Sequence, residues 1–428
     1  MNRLSLAIWR TGFCLLALCL FLVALVLFTL QGAAAAGTDA VNPATRVQRN
    51  VQAGRLPGRS SGHQGGFSDQ ANWLMFGFDA QQTRLNPYGT TLTPSNVSSL
   101  VLDWKYATGD YITSAPAVVN GIVYFGSHDG NFYALDAATG AVIWTANPGT
   151  RFDTAPAVVS GVVYEVGQDR VLYAFDASTG QTLWTSKQAT FYAPICSSPT
   201  IANGVLYVGS LTNQLLAYIA QNGALLWAAA TGNFICASPA VSNGMVYVGS
   251  YDYNVYGFNA ATGKRMWVFS TGNIVVDPPS VSNGVVFVGS NDGREYALDG
   301  QTGKERWRSR IPYDAITTAA VANGMLYLGT GDGHVCALDA TGGKILWKRL
   351  TTEGSYIDSS PALANGVVYA GSSDGKLYAL DATSGKILWT YATGNAVNDS
   401  PTVVNGMVFV GSDDDSFYVF YLPNGQKR

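Results

Sequence analysis

Tryptophan recurs along this chain at positions 104, 144, 184, 227, 267, 307, 347 and 389, at intervals of 40, 40, 43, 40, 40, 40 and 42 residues. The tryptophans from Trp144 onward close one recurring stretch. It reads ALDAATGAVIW from Ala134 to Trp144, then AFDASTGQTLW, GFNAATGKRMW, ALDGQTGKERW, ALDATGGKILW and ALDATSGKILW, with a worn copy, AYIAQNGALLW, from Ala217 to Trp227. Apolar residues alternate up to an Asp, whose side chain can bond to the backbone two residues on and start a turn. Gly supplies the positive φ that closes the turn. The following strand ends in an indole, which can bury its ring and still donate one hydrogen bond.

A second landmark falls in the same rhythm. Asn-Gly occurs at Asn120-Gly121, Asn203-Gly204, Asn243-Gly244, Asn283-Gly284, Asn323-Gly324, Asn365-Gly366 and Asn405-Gly406, with Ser160-Gly161 completing the set. Asn-Gly between alternating apolar runs is a strong hairpin signal. Each repeat therefore reads as four strands: SAPAVV, IVYFGS, NFYALDA and AVIWTA in the first. Four antiparallel strands in about 40 residues make a propeller blade. The last repeat has its Asn405-Gly406 turn but no Trp, and Trp104 precedes every such turn. LVLDWKYA (Leu100 to Ala107) is thus expected to supply the fourth strand of the last blade and tie the ring shut, which removes exposed edges. The fold class is all-β, an eight-bladed β-propeller. Its innermost strands, rich in Ala, Ser and Pro, suit a crowded axis.

The body of the propeller is expected over residues 73–428. Residues 37–72 are polar, cannot bury enough surface to fold, and read as a flexible linker. At the start, Arg3 and Arg10 precede an apolar run from Phe13 to Leu30 and then Ala33 to Ala36. Residues 1–36 therefore read as a signal peptide, or, because the apolar run is long, as an uncleaved membrane anchor. Either places the body outside the cytoplasm: secreted, periplasmic or held on the outer side of the cytoplasmic membrane. A net charge of −3, with no basic block, argues against a nucleic-acid surface. The protein is expected to act as a monomer.

The repeat resembles the signature of the pyrroloquinoline quinone (PQQ) repeat family of eight-bladed propellers, and the segment from Trp73 to Gly109 is similar to the opening of quinoprotein and polyvinyl-alcohol-dehydrogenase-like proteins. The resemblance implies one of two roles. Quinoprotein dehydrogenases bind PQQ and Ca²⁺ over the axis and oxidise alcohols, polyols or sugars. Assembly lipoproteins keep the propeller, bind no quinone and serve as protein-interaction platforms. The dehydrogenases carry adjacent cysteines against the quinone, and this chain has no Cys-Cys pair.

Residues three before each inner-strand opening form a ring: Thr113, Asp153, Cys196, Cys236, Val276, Ile316, Asp358 and Asn398, with Asp277 and Asp399 one residue later. The carboxylates Asp153, Asp277, Asp358 and Asp399 are the candidate catalytic bases. Asp358, Asn398 and Asp399 are the candidate Ca²⁺ ligands, since calcium gathers several oxygens. For a quinone, Arg151 is the candidate partner of a carboxylate. Tyr192, with Phe191 in the insertion from Lys187 to Ala193, is the candidate rim contact, and Cys196, Cys236 and Asn398 complete the candidate set. Each Asp also has a plainer reading, as a loop cap or a partner of neighbouring backbone. Cys196 and Cys236 read either as a disulfide, which an exported protein permits, or as small residues filling the axis. Cys336 stands where sister repeats have Tyr133 and Tyr378 and reads as packing. His128 and His334 flank Asp-Gly pairs and are expected to be exposed turn residues; the Asp-Gly pairs themselves read as turns rather than calcium loops. Trp to next strand opening takes 12 residues in six of eight crossings, leaving little chain to cover a quinone. The function expected first is therefore a binding or protein-interaction platform for a protein, polymer or small ligand. The alternative is a PQQ- and Ca²⁺-dependent oxidoreductase.

Overall fold

A computed structural model describes residues 72–187, 196–311 and 317–423. Residues 1–36 and the expected linker, apart from Asn72, lie outside these, as do Phe191, Tyr192 and Ile316. Among the described residues no helix is long and apolar enough to cross a membrane.

Eight antiparallel blades follow one another around an axis, each built from four consecutive strands except the last, and Leu85–Asn86 adds a short parallel strand beside Ala362–Ala364. The inner strands, which number the blades from one to eight, are Ala117–Val119, Ala157–Val159, Thr200–Ala202, Ala240–Ser242, Ser280–Ser282, Ala320–Ala322, Ala362–Ala364 and Thr402–Val404. The eighth blade takes its outer strand, Val101–Ala107, from the start of the chain, with Trp104 opposite Val419. The expected closure is present.

The repeat chemistry accounts for the regularity. Asn120 and Gly121 take φ of 53° and 77°, the paired positive values that a two-residue hairpin needs. Asp136 Oδ1 accepts from the Ala138 and Thr139 amides, forming the expected turn. The indole Nε1 of Trp144 donates to Ala177 O of the next blade at 2.9 Å. Its ring lies where a Cβ on Gly180 would come within 2.5 Å. Gly and Trp of the motif therefore meet across blades, and any larger residue at the turn would strike the indole. The apolar core lies between neighbouring sheets: Tyr164, Val166 and Leu172 of the second blade pack with Leu206, Val208 and Leu216 of the third. Cys336 is buried in the core shared by the fifth and sixth blades, as its packing role requires.

Residues 73–86 thread the axis. Trp73 pairs with Val118 of the first blade. The carbonyls of Leu74, Ala80, Gln81, Thr83 and Arg84 accept from Val158, Val241, Val281, Val321 and Leu363 of blades two, four, five, six and seven. Gln82 Nε2 donates to Thr200 of blade three, and Asn86 Nδ2 to Val403 O of blade eight. One short segment thus satisfies backbone groups that eight converging edges would otherwise leave unpaired. Gly77 is needed at its tight fold, where a Cβ would lie 2.1 Å from the Gln82 side chain and 2.4 Å from its Cα. Arg84, wholly buried, donates to Pro361 O, Phe76 O and Pro401 O at 2.7, 2.7 and 3.1 Å, and its guanidinium lies 4.8 Å from the Phe76 ring centre. Burial lowers its pKa to about 9, and the neighbouring Asp399 raises it.

Candidate functional site

Above this axial plug a cavity of about 330 Å³ opens on one face of the disc. Phe76 of the plug is part of its lining. The walls come from two tiers of the repeat. Thr113, Asp153, Cys196, Cys236, Val276 and Asn398 stand three residues before the strand openings, and Ala115, Ala155, Ser198, Ser238, Pro278 and Ser400 one before. The serine tier also ties blades together: Ser198 Oγ accepts from Ala155 N, Ser238 Oγ from Ser198 N and Ser400 Oγ from Ser360 N, at 2.9 to 3.0 Å.

Around the mouth the walls differ. On the side of blades eight, one and two, each ring residue meets a side chain fifteen positions on. Asn398 Nδ2 donates to Asp413 Oδ2 at 2.7 Å, Thr113 Oγ1 lies 3.0 Å from His128 Nε2, and Gln168 Nε2 donates to Asp153 Oδ2 at 2.7 Å. His128 Nε2 also reaches Asp153 Oδ1 at 2.7 Å, joining blades one and two. That hydrogen bond raises the imidazole pKa against the effect of burial. His128 is therefore not the exposed turn residue expected. Nor is His334, whose Nδ1 lies 2.6 Å from Asp332 and whose side chain is 19% exposed. On the side of blades three and four, Cys196 and Cys236 form a disulfide, with Cα atoms 4.8 Å apart. The disulfide reading holds, and Tyr251 is also part of the lining.

The remaining candidates are placed apart. Asp277 lines the cavity with Asp153. Asp399 is buried; its Oδ2 accepts from Gly411 N at 2.7 Å. Ser114, Ser197, Thr317 and Ser359 accept from Gly126, Gly209, Gly329 and Gly371 in the same way, so Asp399 fills a structural place in the repeat. Asp358, half-buried in the seventh blade, is not part of the lining, and Arg151 is exposed outside it. Of the residues read as calcium ligands, Asn398 lines the cavity while Asp358 and Asp399 do not. No three His, Cys, Asp or Glu side chains are gathered as a metal would need among the described residues. The donor set does not fit calcium, and a lining without Lys or Arg offers no cation to the carboxylates of a quinone such as PQQ. The Asp-Gly loops are turns, as expected: Asp129 Oδ2 accepts from Tyr133 Oη at 2.6 Å and from Gly109 N at 2.9 Å.

Two buried carboxyls escaped the sequence reading. Glu165 stands where sister repeats have Phe125 and Val208, and Glu295 where they have Phe132 and Leu215. Burial pushes Glu165 up to about 8, opposed by the Thr154 hydroxyl and the Val166 amide and assisted by the charge of Asp153. Burial, with the charge of Asp277 second, raises Glu295 well above the ordinary range. Each backs one of the lining carboxylates.

Fold and site together define an eight-bladed, Trp-anchored propeller with a plugged channel and one open axial cavity. The chain belongs to the PQQ-repeat family described as outer membrane protein assembly factor BamB, matched at residues 89–204, 193–276, 270–361 and 355–428. Its relatives span both branches of the expectation. It is 31% identical over 121 residues to the dehydrogenase subunit of the quinone alcohol dehydrogenase of Gluconobacter oxydans, a match covering 28% of this chain and 15% of that one. The structure is similar to quinohemoprotein alcohol dehydrogenase from Comamonas testosteroni (TM-score 0.73, 18% identity, 84% of this chain and 82% of that one). It is similar also to BamB from Moraxella catarrhalis (TM-score 0.66, 19% identity, 75% and 99%). At such identities these likenesses show the fold.

Proposed function

We propose that the protein is an exported binding platform, a rigid disc whose axial face receives a partner or ligand. The observation that carries this reading is the cavity itself. It is open, walled by a disulfide and a hydrogen-bonded arc, and Asn398 is the one of the three residues read as calcium ligands that lines it. A platform needs a stiff surface of defined shape, and the plug and cross-blade bonds supply it. Membership of the assembly-factor family supports a protein partner and a place outside the cytoplasm. The dehydrogenase reading draws on the quinoprotein relatives and on the likeness of Trp73 to Gly109 to their opening segment.

The experiment is a titration of PQQ with Ca²⁺ into the full chain, with dye reduction measured on alcohols and polyols. No saturable binding and no turnover are expected; saturable binding with turnover would replace the platform by the enzyme. In parallel, a photocrosslinker at Tyr251 is expected to trap envelope protein where one at the outer-strand residue Leu226 does not. Equal yields from both would sink the axial face as the docking side.

A further inference from the structure

The axial cavity has a chemical bias of its own. Among the described residues its lining includes two carboxylates, Asp153 and Asp277, three blades apart, and neither lysine nor arginine; Arg151 stands outside it, near enough to His128 for its charge to act there. The nearest buried cation, Arg84, has its donors committed to the carbonyls of Phe76, Pro361 and Pro401. Asp153 is met from the side by His128, a cation only while protonated, and Asp277 lies near Glu295, whose pKa burial raises well above the ordinary carboxylate range.

A second observation points the same way. Asn398 Oδ1 is buried and has no hydrogen-bond partner. Its amide orientation is fixed, because the carboxylate of Asp413 can only accept and must face the NH₂ group. A buried amide oxygen without a partner calls for a donor, which a bound N–H group would supply. Tyr251 adds an aromatic ring to the lining, of the kind that attracts cations, whereas the Phe76 ring already has the Arg84 guanidinium 4.8 Å from its centre. An anion entering here would lose its hydration against carboxylates, with no counter-charge in the lining to replace it.

We infer that this cavity binds a small organic cation carrying N–H donors, of the amine or diamine class, with Asp277 and Asp153 as its anionic contacts and Asn398 Oδ1 accepting one N–H. This rests on the platform reading and names what the disc receives at its axis. The volume suits it, since small-molecule pockets begin at roughly 300 Å³. Attraction between exposed charges is screened by salt, so affinity falls as ionic strength rises.

The test is calorimetric titration of the full chain with putrescine and spermidine, using butanediol and succinate as uncharged and anionic counterparts of similar length. Saturable binding of the amines only is expected. Asp277→Asn should weaken it at least tenfold, and Val276→Lys, which places a cation on the half-exposed wall, should abolish it without disturbing the buried core. Melting curves matching the parent show that both variants fold. Equal binding of butanediol, or amine binding unchanged in both variants, would overturn the inference, as would binding of Ca²⁺ in place of the amines. If neither amines nor PQQ bind, the ligand class is wrong and the platform reading stands. If PQQ binds with turnover, both fall.

Discussion

The two walls of the axial cavity occupy equivalent places in the repeat and are built by different chemistry. Blades eight, one and two close theirs with side-chain hydrogen bonds, from Asn398 and Asp413 through Thr113 and His128 to Asp153 and Gln168. Blades three and four close theirs with one covalent bond, Cys196 to Cys236. The repeat fixes where a side chain stands; it leaves open what that side chain does. The polar wall responds to pH and to competing ligands, whereas the disulfide wall responds to reductant.

That contrast can be tested first at the floor beneath both walls. Arg84→Ala would strand three buried carbonyls and leave Asp399 without its neighbouring cation, and should cost at least about 3 kcal/mol in urea unfolding. A loss below about 1 kcal/mol would mean that the plug is not the shared support. Next comes the covalent wall. Replacing Cys196 and Cys236 together by Ser should lower stability by about 2–4 kcal/mol. Hydrogen exchange should rise in blades three and four; a rise concentrated in blade one instead would show the walls to be coupled.

The polar wall should yield less. Asp153→Asn is expected to cost about 1 kcal/mol, and to return the His128 pKa toward its ordinary value, read from the imidazole NMR signals. Because the folded-state pKa of His128 is raised, its contribution is full below the unfolded value and fades as pH rises through the folded one. An unchanged imidazole titration would remove Asp153 as its partner. Glu165 has the same sign. Its carboxyl titrates near 8 in the folded protein against 4.5 for the ordinary group, so stability falls as pH rises between those values. Glu165→Gln should flatten that decline in melting temperature, and an unaltered slope would place the titration elsewhere. The smallest effect belongs to the outer rim, where Leu226→Ser, at a side chain 47% exposed, should change stability by less than about 0.5 kcal/mol.

The sequence and structure agree wherever a residue's partner lies at a fixed offset in the repeat. Trp144 and Ala177, Asn120 and Gly121, and Trp104 opposite Val419 could all be placed from spacing, because each is one instance of a bond repeated around the ring. The plug could not. Trp73 to Asn86 has no internal period, and it binds mainly through backbone carbonyls that any residue carries. Asp399 shows the limit of reading by type: a carboxylate in a serine's place does the serine's work. His128 was misjudged from its neighbour Asp129-Gly130, though its true partner, Asp153, lies in the next blade. Glu165 and Glu295 left a signal, each an acid at a position that sister repeats fill with apolar residues.

The seating of residues 73–86 also bears on how the chain knows that it is whole. Their backbone and side-chain bonds reach every blade, and Val101–Ala107 has no partner until Ser416–Tyr421 exists. Residues 73–86 can therefore complete their bonds only once all eight blades exist. A chain ending early keeps both of its opening segments unseated, its axis unfilled and a sheet edge exposed to proteases and to neighbours. Only a chain that carries all eight blades can seat residues 73–86 in full.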